Sequence, residues 1–217
     1  MNIIFFGPPQ VGKGSYASRV AEKLGIVHIS TGDMFRKMAA DGDPMGIEAK
    51  EKYWGKGNLV PDDITTRLLL ERIRKDDCKK GFIIDGFPRT IPQAEELDRN
   101  VEIGIVFNFT ADDSLLIKRA TSRRTCGNKS CNAIFSLLTL NPKKEGICDK
   151  CGSALYQRED ERPEIFEERL NIYKKQTSPL VGYYEKKDML VSMSGVGEIK
   201  DIVDEIIKVI YAAEQDS

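Results

Sequence analysis

Short, mostly apolar runs alternate with amphipathic stretches along this chain. The runs fall at residues 2–6, 27–29, 82–84, 103–109 and 189–191, and their length and β-branched content fit strands buried on both faces. Helical patterns lie between them. Residues 15–24 read as a helix stopped by Gly25, and Ile199, Ile202, Val203, Ile206, Ile207 and Ile210 recur at the spacing that lines one helical face. Strand and helix in alternation predict an α/β fold, a five-stranded parallel sheet with helices on both faces. Two segments break the alternation: a polar, Gly-dotted stretch ahead of residue 60, and residues 123–160, which hold four cysteines and Pro142. Both read as insertions on the core.

Composition changes this picture little. With 217 residues, 41% hydrophobic and 31% charged, the chain is an ordinary globular one, which excludes collagen-like, disordered and disulfide-dense classes. The 33 Lys+Arg against 34 Asp+Glu give a net charge of -1, so no overall field recruits nucleic acid or an acidic membrane, and any polyanion must be held by local groups. No apolar stretch reaches the roughly 18–20 residues of a membrane span. The first apolar run meets Gly7-Pro8-Pro9 instead of continuing as a signal peptide would, so a cytoplasmic setting is expected. There, clustered cysteines serve better as metal ligands than as disulfides.

Candidate chemistry begins at Gly7-Pro8-Pro9-Gln10-Val11-Gly12-Lys13-Gly14-Ser15, between a strand and a helix. Such a loop turns successive backbone N–H groups inward and adds the helix N-terminal dipole, a site for nucleotide phosphates that Lys13 would reach. Gly14 follows the lysine where the general motif has a Mg²⁺-binding hydroxyl, leaving Ser15 as the nearest substitute. Nucleoside monophosphate kinases have this form of the loop, with a glycine where Gln10 stands and a threonine where Ser15 stands. If residue 10 requires positive φ, its side chain costs about 1–2 kcal/mol.

With Ser30-Thr31-Gly32-Asp33-Met34-Phe35-Arg36 and Asp85-Gly86-Phe87-Pro88-Arg89-Thr90 in view, the chain resembles the adenylate kinase family over almost its full length. The resemblance implies the reaction ATP + AMP to two ADP on a P-loop NTPase core (1–30, 61–122 and 161–217), with an AMP-binding insertion (31–60) and a lid (123–160). Arg36 and Arg89 are planar forks suited to phosphate, and Asp85 ends a strand like the acidic residue of a magnesium shell in related enzymes. The resemblance places Thr31, Asn58, Leu59, Val60 and Gln93 around the adenine of AMP, with Gly86, Phe87 and Pro88 beside them. It assigns Arg119 and Arg123 to ATP, and Arg158 and Arg169 to the AMP phosphate and the transferring group. Ile134-Phe135 stands where the family has Thr-Tyr near the ATP base, Gly197 aligns with a loop whose carbonyl meets the adenine, and Ser122 replaces a hinge glycine. Arg162 is expected to face solvent, and His28, the only histidine, to be a core or edge residue.

Cys126, Cys131, Cys148 and Cys151 form two pairs with zinc-ligand spacing, four thiolates for a structural tetrahedral Zn²⁺. Four residues separate the first pair where zinc-lid adenylate kinases usually have two; Cys78 lies outside the cluster. The expected protein is a monomeric, Mg²⁺-dependent enzyme acting on ATP, AMP and ADP. A UMP/CMP or GTP-dependent kinase, or a weakly active nucleotide-binding relic, is the alternative. A zinc ribbon that binds nucleic acid is disfavoured by the net charge and by mixed charges at Lys143-Lys144-Glu145 and Arg158-Glu159-Asp160.

Overall fold

The computed structural model describes every residue except 129, 132, 216 and 217. In chain order the elements are β1 (Asn2–Phe6), α1 (Lys13–Leu24), β2 (Val27–Ser30), α2 (Thr31–Ala40), α3 (Pro44–Lys52), α4 (Asp62–Ile73), β3 (Phe82–Asp85), α5 (Ile91–Asn100), β4 (Ile105–Thr110) and α6 (Asp113–Ser122). There follow β5 (Arg123–Cys126), β6 (Ile134–Ser136), β7 (Leu155–Tyr156), α7 (Pro163–Ile172), α8 (Leu180–Glu185), β8 (Leu190–Ser194) and α9 (Ile199–Gln215).

Five strands form one parallel sheet in the order β2-β3-β1-β4-β8. Alternation along each strand divides the core. Ile3, Phe5, Ile83, Phe107 and Phe109 pack on one face with Val20, Phe166 and Ile206, while Ile4, Phe6, Ile84 and Val106 pack on the other with Leu69, Leu97 and Tyr184. β1, β3 and β4 therefore bury both faces, as their near-continuous apolar runs require, while the edge strands β2 and β8 are only partly covered. The last strand starts one residue later than the run suggests and extends to Ser194. The register sets Phe5 and Ser30 level with Asp85. The carboxyl ends of β1, β2 and β3 thus share an edge, and connections leave from both sides of β1, where open α/β sheets hold ligands.

The segments that broke the alternation have their own small clusters. Phe35, Ala49 and Val60 gather Met38, Tyr53 and Trp54 between α2, α3 and the start of α4. The antiparallel sheet β6-β5-β7 surrounds Cys126, Ala133, Phe135 and Cys148. That second cluster contains few apolar side chains to oppose the conformational entropy of its loops. Ser122 closes α6 with its hydroxyl donating to Arg119 O (3.1 Å), and it is not among the residues at positive φ, so a serine fits there without backbone strain.

Candidate active site

The phosphate loop bends from β1 to α1. Close approach fixes Gly12, where a Cβ would lie 2.5 Å from the ring of Tyr16, and Gly14, where one would lie 3.3 Å from Asp85 Oδ2. Gln10 adopts φ 66°, so the strain foreseen for a side chain at that position is present, about 1–2 kcal/mol. Val11 is buried, leaving its backbone to face the loop. Lys13 Nζ donates to Gly7 O and Pro8 O, both at 2.8 Å, and burial with the nearby Arg89 and Arg169 outweighs Asp85 and lowers its pKa to about 8.

Asp85 is the acidic group of this pocket. Burial opposes its charge, but His28, with Nε2 3.8 Å from Asp85 Oδ2, and Lys13 together hold the carboxyl below its usual range. Its charge, with the space kept open by Gly14, suits the hydrated shell of Mg²⁺, which prefers carboxylate and phosphate oxygens to a closed protein cage. His28 lies at the strand edge expected of it, with Nδ1 3.2 Å from Ser18 Oγ. Its nearness to Asp85 was not visible in the sequence.

A second cleft lies between the α2–α4 region and the core, lined by Thr31, Arg36, Trp54, Asn58, Val60 and Gln93 among others. Ser30 caps α2 through Asp33 N (3.3 Å), setting Thr31 at the first turn, where its hydroxyl donates to Gly86 O (2.9 Å). Arg36 lies over Gly32 and donates through Nε to Asp33 Oδ1 (3.1 Å). Arg89 Nε donates to Gly86 O (2.8 Å). Gln93 is held at both ends of its amide, accepting from Arg89 N and donating to Asp62 Oδ1, each at 2.7 Å. Asp62 was absent from the sequence-based candidates. Leu59 also lines the cleft, whereas Phe87 and Pro88 are buried, so only their backbones are available to a ligand.

Arg123, Arg158 and Arg169 meet two buried acids. Asp160 accepts from Arg158 Nε (3.0 Å), Arg158 Nη2 (2.9 Å) and Arg169 Nη1 (2.9 Å). Burial opposes its charge, but Arg169, Arg158 and Arg36 hold the carboxyl well below the usual carboxylate range. Glu161, fully buried, pairs with Arg123 Nη2 and accepts from Gln10 Nε2 at 3.0 Å. The sequence named Asp160 only within the mixed-charge stretch Arg158-Glu159-Asp160 and did not single out Glu161. Arg162, beside them, is exposed as expected. Around Arg169, burial and the fields of Arg158, Arg89 and Arg123 outweigh Asp160 and bring even this guanidinium down to about 10. Lys13, Arg89, Arg123, Arg158 and Arg169 thus crowd one pocket with Asp85, Asp160 and Glu161 as counter-charges.

Other candidates lie apart from that cluster. Arg119 Nη1 donates to Val11 O and Gly195 O, each at 3.0 Å, and Tyr16 OH bonds the same carbonyls, fastening the phosphate loop to the loop that carries Gly197 at φ 146°. Ile134 is half exposed, while Phe135 points into the core of the small sheet.

In that sheet the sulfurs of Cys126, Cys131, Cys148 and Cys151 all lie within 4.8 Å of one another, with Cys126–Cys151 at 3.4 Å and Cys131–Cys148 at 3.7 Å. A tetrahedron with Zn–S of about 2.3 Å has S···S edges of about 3.8 Å, so the donor set fits Zn²⁺ with no ligand position left open. Cys78 is buried beside Arg72, far along the chain from this cluster.

The family model for adenylate kinase matches residues 5–189. Among curated proteins, the chain is 47% identical over 211 residues to the adenylate kinase of Archaeoglobus fulgidus, covering 95% of this chain and 96% of that one. It is 45% identical to that of Thermodesulfovibrio yellowstonii and 42% identical to that of Thermosipho africanus, each over 215 residues, 97% of this chain and 99% of the relative.

Proposed function

The chain belongs to the adenylate kinase family, and from that membership we propose that it moves the γ-phosphoryl group specifically from ATP to AMP. The observation that carries this reading is the excess of half-buried cations crowded together: Lys13, Arg89, Arg123, Arg158 and Arg169 against Asp85, Asp160 and Glu161. Uncompensated buried charge is costly, so the pocket favours a ligand with many anionic oxygens.

The phosphate loop and Lys13 hold the ATP phosphates. Arg36 and Arg89 hold the AMP phosphate, and Thr31 and Gln93 border its adenine. An oxygen of the AMP phosphate attacks the γ-phosphorus in line as the bond to the β-bridging oxygen breaks, with charge spread over the transferring group. Arg123, Arg158 and Arg169 surround that group and stabilise the charge without needing to move protons. Asp85 would hold the hydrated shell of Mg²⁺, which when bound would supply positive charge to offset that of the phosphates. Residues 31–60 and 123–160 close over the two nucleotides, excluding water as a competing acceptor, and Cys126, Cys131, Cys148 and Cys151 would hold a Zn²⁺ that would make the second segment a rigid flap.

The acceptor base is the finer part of the reading. Gln93 presents an amide already oriented by Arg89 N and Asp62, a fixed donor–acceptor pair at the cleft wall. Product formation from ATP or GTP paired with AMP, UMP, CMP or GMP tests it. ATP with AMP should dominate; robust transfer to UMP with none to AMP would refute the assignment.

A further inference from the structure

Gln10 combines a strained backbone, φ 66°, with a side chain that leaves its own loop. Its Nε2 donates to Glu161 Oε1 at 3.0 Å, a contact between positions 151 residues apart. That oxygen also pairs with Arg123 Nη2 and lies 3.9 Å from Arg158 Nε. Gln157 Nε2, donating to Glu161 O at 3.2 Å, holds the backbone of the acid as well. One buried carboxylate oxygen therefore joins the phosphate loop to the arginine that opens the lid segment and the arginine that leaves it. Arg123 Nε is buried without a partner among the described residues, so the contact with Glu161 leaves part of the guanidinium's donor capacity unused.

We propose that Gln10 is a positioning residue for phosphoryl transfer: through Glu161 it fixes the Arg123 guanidinium relative to the phosphate loop, and this clasp persists with nucleotides bound. The proposal rests on the reading of the pocket as a phosphoryl-transfer site. A glycine at position 10 would relieve the backbone but could not reach Glu161, whereas the glutamine trades local strain for a fixed distance between loop and arginine. Preorganisation of this kind is expressed in the transition state more than in ground-state binding.

A double-mutant cycle with steady-state kinetics tests this. Gln10→Gly and Gln10→Ala should each lower kcat about tenfold, the value of a lost hydrogen bond to a charged group, with KM for AMP within about twofold of wild type. Alanine keeps the backbone strain and glycine removes it, so the two variants should share the kcat loss yet differ in Tm, with glycine higher. Glu161→Gln should lower kcat further, and adding Gln10→Gly to it should change little more. If Glu161→Gln fails to fold, Glu161→Asp, one methylene too short to meet both partners, completes the same cycle. Wild-type kcat in Gln10→Gly, or a double variant whose loss equals the product of the single losses, would overturn the clasp. Failure of the wild type on AMP would refute the substrate reading alone, and the cycle would then be run on the acceptor it does use.

Discussion

Asp160→Asn removes one negative charge from beneath the phosphoryl-transfer arginines and changes almost nothing in shape. Asp160 is 3% exposed and accepts bonds from Arg158 and Arg169 at 2.9–3.0 Å. Removing one partner from a buried ion pair costs about 3–5 kcal/mol, because the remaining charge is left uncompensated. For a protein of this size about 1 kcal/mol moves Tm by about 2–4 °C, so the unliganded variant should melt roughly 6–20 °C lower. Ligand phosphates supply the missing negative charge, so saturating Mg·ADP should raise Tm further in the variant than in the wild type. The pH dependence has a definite sign. The folded carboxyl titrates below its unfolded value near 3.9, so its stabilisation is full above that value and fades as pH falls through the folded one. The Tm gap between wild type and variant should therefore be flat from about pH 5 to 8 and narrow below about pH 4. Calorimetry with and without Mg·ADP reads both effects. An unchanged Tm in the unliganded variant, or an equal deficit with and without nucleotide, would refute the idea that Asp160 stands in for phosphate charge.

Three further outcomes follow from the same geometry. Lys13, held down to about 8 by burial, should make kcat/KM for ATP fall above about pH 8, whereas kcat should hold to higher pH because bound phosphate raises the lysine pKa; superimposable limbs in the two profiles would contradict this. Arg36→Ala should raise KM for AMP by about 10- to 100-fold, the range for a charge-assisted phosphate contact, and leave KM for ATP nearly constant; equal effects on both substrates would place Arg36 outside the acceptor cleft. Metal analysis should find zinc bound by the four-cysteine cluster, and its removal by a strong chelator should abolish amide protection in β5–β7 while β1, β3 and β4 stay protected; retained protection throughout the small sheet would show that the lid folds without metal.

The central sheet was legible because β1, β3 and β4 are buried on both faces and write that burial as short apolar runs, so β1 to β4 could be placed from sequence to within a few residues. The small sheet β5–β7 left no such trace: apart from cysteines, its packed cluster consists of Phe135, Ala133 and Leu155, and what organises it is the cysteine spacing. The same division runs through the site. Gly7 to Ser15 follow local rules of backbone approach and are readable as a motif. The partners of the arginines are not, since the burial of Asp160 and Glu161 depends on how the returning lid segment meets α7 and the phosphate loop. In the sequence, acids beside Arg158 look like solvated surface. The structure makes them internal counter-ions, and it gives Gln10, a departure from the family loop, a partner 151 positions away.

These counter-ions resolve an apparent contradiction between a net charge of -1 and a highly anionic pair of substrates. An open pocket holding only the arginines would bear a large desolvation and repulsion cost before any nucleotide arrived. Asp160 and Glu161 lower that cost in the empty protein, and each lies on the arginines that phosphate must engage. At Arg158 and Arg169 nucleotide binding is then an exchange of the Asp160 carboxylate for phosphate, while Glu161 keeps its hold on Arg123, and the net gain is the difference between two charge-assisted networks, which is smaller than either one. Moderate binding of this kind suits an enzyme that must release two products with the same groups that held its substrates. It also means that strengthening Asp160's hold on Arg158 and Arg169 should slow phosphate capture, while weakening it should cost stability, so that Asp160 is placed where fold and catalysis draw on the same charges.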